Sequence, residues 1–106
     1  MDNVRSNIID MVDKTYEWME YQRFVEKEDE HNNKYSLIKF TDKVCGEIIL
    51  WIYLYETEHI LIEFRNAMTT KHENAIRLEF DGDFMELHNI LLNYVHTMCE
   101  IHNIDL

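Results

Sequence analysis

The chain has no proline, two glycines and two cysteines, Cys45 and Cys99, in 106 residues. So little glycine leaves no phosphate-cradling loop of the kind nucleotide enzymes build, and neither serine sits in a glycine-flanked nucleophile elbow. The cysteines form no CxxC pair, and without a secretion signal they read as reduced, buried thiols. The opening residues MDNVRSNIIDMVDK alternate charge with apolar side chains, unlike a signal peptide. The apolar run Ile48 to Tyr55 falls well short of the ~20 residues of a spanning helix. These absences predict a soluble, cytoplasmic protein that does not engage a membrane.

Positive charge is scarce as well. Ten Lys and Arg stand against twenty-one Asp and Glu, a net charge of −11, and no Lys or Arg follows Arg77. Such a balance repels phosphate backbones over distances near the Debye length, which predicts no direct nucleic-acid binding and favours a basic protein partner.

What is present suffices for one small folded domain over residues 1–106, with 46% apolar and 12% aromatic residues. Val4, Ile8, Met11, Val12, Thr15, Trp18 and Met19 recur at helical spacing, predicting an amphipathic helix from Asn3 to Tyr21. The segment after it, through Asn33, fits either an extension of that helix or a strand begun by Phe24 and Val25, with the Asn32-Asn33 pair suited to a turn. YSLIKF, EIILWIYLY, HILIEFR and AIRLEF then read as four strands, the middle two joined as a hairpin through Glu56-Thr57-Glu58. Phe84, Leu87, Leu91, Tyr94, Val95, Met98 and Ile101 share one side of a closing helix. Asp83 and Glu86 have the spacing of a capping box there, after a tight turn at Gly82. The order implies an α+β fold: a four-stranded antiparallel sheet, or five-stranded if Val25 lies in a strand, with an N-terminal and a C-terminal helix on one face.

Two groups of residues are candidates for contact with a partner. Glu79, Asp81, Asp83 and Glu86 crowd a strand-to-helix turn, and Glu56 and Glu58 flank the hairpin; such carboxylates suit a basic surface. Trp51, Tyr53 and Tyr55 form the second parity of a strand whose first parity, Ile48, Ile52 and Leu54 with Leu50, is aliphatic. With both helices on the aliphatic side, these rings are either covered by another segment, as in an ordinary central strand, or left on the open face, where Trp and Tyr suit an interface, including a homodimer through the sheet. The acidic cluster does not have calcium-loop spacing, and His88, His96, Cys99 and His102 spread too far around a helix to share one ion. No catalytic, cofactor or metal residue is assigned.

Small size, acidity and the lack of catalytic motifs together resemble, at the level of a class, phage-encoded inhibitors of host defence nucleases, anti-CRISPR proteins among them. That resemblance implies an acidic inhibitor that imitates nucleic-acid charge on a basic enzyme. Secretion chaperones and toxin immunity proteins are similar in size and mixed composition and imply an acidic adaptor instead. A metal-dependent enzyme is the third reading.

Overall fold

The computed structural model describes residues 2–44, 48–57, 59–66 and 75–101. Two helices, α1 (Asp2–Thr15) and α2 (Phe84–Ile101), enclose in sequence five strands: β1 (Met19–Glu28), β2 (Lys34–Asp42), β3 (Ile48–Tyr55), β4 (His59–Asn66) and β5 (Ile76–Glu79). The strands pair antiparallel in chain order, an up-and-down sheet with β3 at its centre. The expected α+β architecture is present, with a fifth strand, β1, that begins at Met19, inside the span expected to be helical.

α1 is shorter than its apolar stripe suggests. The Tyr16 amide still donates to the Val12 carbonyl at 2.8 Å, but the Met19 amide turns back to the Tyr16 carbonyl at 3.0 Å, and Trp18 and Met19 leave the helix. The Lys43 amide donates to the Trp18 carbonyl at 2.9 Å, tying the start of β1 to the end of β2. Tyr16, not Thr15, is the residue that enters the core at this point; Thr15 is exposed.

Side chains alternate across a strand, and residues opposite one another on paired strands share a face. Phe40, Leu50 and Phe64 align across the sheet, as do Ile38, Ile52 and Ile62. Onto this face pack Val4, Ile8 and Val12 of α1 and Leu87, Leu91, Val95 and Cys99 of α2, all nearly without solvent contact. Ile101 departs from the predicted stripe and stands exposed at the end of α2. Asn7 hydrogen-bonds His88 and Tyr16 Oη lies 3.1 Å from His96 Nδ1, so the helices run in the same direction along the sheet.

A bulge in β1 shifts its register between Tyr21 and Arg23. Tyr21 packs against Phe40 on the helix side, at 5.7 Å between ring centroids, while Arg23 lies opposite Lys39 on the other side. The extra residue thereby sends Arg23, Val25 and Lys27 to the uncovered face. The hairpin after β1 closes on Asp29, whose Oδ1 accepts the amides of His31 and Asn33, both at 2.9 Å, with Asn32 at φ 64°.

Candidate functional site

The up-and-down topology brings three turns to one end of the sheet. β1 ends there at Glu28, β3 ends at Tyr55 and β5 ends at Glu79, and α2 begins there. The end therefore carries Glu28, Asp29 and Glu30 from the first hairpin, Glu56 from the second, and Glu79, Asp81, Asp83 and Glu86 from the last turn. Glu58 lies outside the described residues. The Glu56 amide donates to the Lys34 carbonyl at 3.2 Å, which fixes the first two turns side by side.

The carboxylates at the last turn also shape the backbone. Asp83 Oδ1 accepts the Glu86 amide at 3.1 Å, the expected N-cap, but the Asp83 amide donates to Asp81 Oδ1 at 3.0 Å. Asp81 thus takes the reciprocal arm that the capping-box spacing assigns to Glu86. Gly82 between them has φ 97°, a conformation open to glycine at little cost. Glu79 is ion-paired with Arg77 at 3.2 Å, and both are exposed. Among the described residues, Asp81, Asp83, Glu86 and Glu56 make no such pair. Hydrogen bonding, first from the Asn33 amide, holds the Asp29 carboxyl below its ordinary pKa.

The open face is the second surface. No described element covers it. Trp51, Tyr53 and Tyr55 are half-buried there and meet Tyr35 and His59 in a continuous strip. Tyr35 lies 5.8 Å from Tyr53 and 4.9 Å from Tyr55, and His59 stacks on Tyr55 at 4.2 Å. Beneath the strip Leu37 is only 3% exposed and Glu63 2%, so the rings shield what lies between them without being shielded themselves. Glu63 accepts a hydrogen bond from Tyr53 Oη at 3.0 Å and another from Arg65 Nε. Burial, and then the Glu63 charge, push the Tyr53 hydroxyl far above its ordinary pKa.

The chain matches no known family model, no curated protein and no solved structure.

Sequence reasoning missed the charge of this face. Arg23 lies opposite Lys39, Lys27 opposite Tyr35, Arg65 opposite Ile49 and Arg77 opposite Leu61, so five of the ten Lys and Arg share the open side. Lys39 Nζ sits 4.8 Å from the Trp51 ring centroid and the Arg65 guanidinium 4.0 Å from it. Burial, and then Arg23, Lys27 and Arg65, lower the Lys39 pKa. In the sequence these cations are spread over four strands, and only the register unites them.

Neither surface has the chemistry of a metal centre. Among the described residues no three His, Cys, Asp or Glu side chains converge to hold an ion. His88 and His96 are engaged with Asn7 and with Tyr16 and the Leu92 carbonyl. The Cys99 thiol is fully buried, which raises its pKa and makes it a poor nucleophile. Cys45 and His102 lie outside the described residues. No helix among the described residues is long and apolar enough to cross a membrane.

Proposed function

We propose that this chain is a protein-binding inhibitor that presents its acidic end to a basic, nucleic-acid-binding surface, its carboxylates standing where phosphates would bind. The observation that carries the reading is the gathering of Glu28, Asp29, Glu30, Glu56, Asp81, Asp83 and Glu86 from three turns onto one end of a rigid sheet. Exposed carboxylates at several spacings suit a basic groove, and long-range attraction speeds the encounter. Phosphate-binding grooves belong to nucleases among other enzymes, and a defence nuclease, met in the cytoplasm of a phage host, is the most specific form of the proposal. The protein then works by occupancy, as a binding protein without a reaction of its own. The open aromatic face supports a second reading, an adaptor of the secretion-chaperone or toxin-immunity kind that holds a client along its sheet.

The test is competition. The protein is titrated into a complex of a basic nuclease with a labelled duplex, at low and at high salt, beside a variant carrying Glu30→Lys, Glu56→Lys and Glu86→Lys. Asp83 is spared because it caps α2. The expected result is release of the duplex that weakens with salt and is largely lost in the variant. Equal competition by a variant with unchanged circular dichroism would sink the assignment of the acidic end.

A further inference from the structure

The open face poses a problem that the acidic end does not solve. In a chain with twice as many acids as bases, Arg23, Lys27 and Lys39 have no carboxylate partner among the described residues, and Arg23 stands directly opposite Lys39. Like charges directly opposed across a strand pair destabilise a sheet. Nearby, the half-buried Tyr35, Tyr53 and Tyr55 rings lie side by side along the same face. Such a surface is incomplete without an anion, and three occupants bring one.

A second copy stacked through the same face sets cations against cations. A nucleic-acid strand holds to such platforms by laying bases on open ring faces. Here Trp51 has cations of Lys39 and Arg65 against its ring and Tyr55 carries His59, so these ring faces are already covered. A short acidic peptide has none of these conflicts. Its carboxylates reach Arg23, Lys27 and Lys39, and its apolar residues lie along the tyrosine strip. About seven extended residues cross the face.

We propose that the open face of the sheet binds an extended acidic segment of a partner protein, with Arg23, Lys27 and Lys39 receiving its carboxylates beside the Trp51–Tyr53–Tyr55 row. The surface is opposite in sign to the acidic end and shares no residue with its test variant, so either assignment can fail alone.

The experiment uses a fluorescein-labelled peptide of alternating glutamate and valine, followed by anisotropy at low and high salt, with an oligothymidylate of equal length for comparison. Two variants are compared with the natural chain: Arg23→Glu with Lys27→Glu, both at exposed positions, and Lys39→Gln. The expected outcome is peptide binding that falls at least tenfold in each variant and at high salt, and that does not fall when the acidic end is reversed. Undiminished peptide affinity in folded variants would overturn the proposal. So would oligothymidylate binding more tightly than the peptide and being lost in the same variants, or sedimentation showing a dimer that the variants dissociate.

Discussion

The covered and the open face of the sheet are built from alternate residues of the same strands, and β3 supplies both centres. On the covered side Leu50, Ile52 and Leu54 are at most 1% exposed and end in methyl groups. On the open side Trp51, Tyr53 and Tyr55 have apolar bodies of greater area, yet each ends in a polar tip or carries a cation. The difference teaches that a run apolar in both parities need not be a strand buried on both sides. Aliphatic residues require another layer to exclude water, whereas Tyr and Trp, with Lys and Arg stems lying across them, make a layer that tolerates a wet boundary.

Breaking each face by substitution measures how far this difference goes. Ile52→Ala removes a fully buried side chain facing Ile38 and Ile62, and the cavity should cost about 2–5 kcal/mol in urea denaturation. Tyr94→Phe tests the seam between α2 and β4. The Phe64 amide lies beyond the last β4–β5 pair, Ile62 with Ile76, and donates instead to Tyr94 Oη at 2.7 Å. Removing that oxygen takes away one hydrogen bond, about 1 kcal/mol, with faster hydrogen exchange at Phe64. Trp51→Leu should cost less than Ile52→Ala, about 1–2 kcal/mol, chiefly two cation contacts of ~0.5–1 kcal/mol each. A loss at Trp51 equal to that at Ile52 would mean that the open face behaves as core.

The tyrosines sharpen the comparison without any substitution. Burial pushes the Tyr16 and Tyr94 hydroxyls up to about 12, and Tyr53 higher still, while unfolded tyrosine titrates near 10. A pKa raised in the folded state means that folding favours the neutral phenol. That contribution is complete below pH ~10 and is lost as pH rises from there through about 12. Tyrosinate absorbance of the folded protein should therefore keep rising above the unfolded range, with Tyr53 of the open face among the late tyrosines because it is buried and Glu63 lies beside it. A single step near 10 for all six tyrosines would remove the distinction between that face and ordinary surface.

Much of the fold was legible because α2 and the β3–β4 hairpin have clean periods and a short connection. β1 was not, since Gln22 adds a residue that breaks its alternation and the rest of this edge strand is mostly charged. The end of α1 was misplaced for the opposite reason: Trp18 and Met19 prolong a helical stripe that the chain has already left at Tyr16. Of the acidic end, Glu79 to Glu86 was visible as a contiguous cluster. Glu28, Asp29 and Glu30 joined it only once the first hairpin had a place. The cations of the open face left no local trace at all, because Arg23, Lys39 and Arg65 become neighbours only through strand pairing and a bulge.

The smallest expected effect bears most directly on that bulge. If Arg23 and Lys39 oppose one another without compensation, Arg23→Glu should stabilise the isolated protein, by about 0.2–1 kcal/mol, as a cross-strand like pair becomes an opposite one. The gain should shrink with added salt, since Arg23 is exposed. Natural proteins commonly leave such surface improvements unused, so the gain points to an anionic partner only where the same substitution also weakens binding of the acidic peptide. A thermal melt of Arg23→Glu at low salt, beside Arg23→Gln, measures the gain. Stabilisation in both, larger for Glu, marks a cation retained at the expense of stability. A loss in both would show Arg23 to be held by packing against its neighbours, and the two faces of the sheet would then differ in burial but not in purpose.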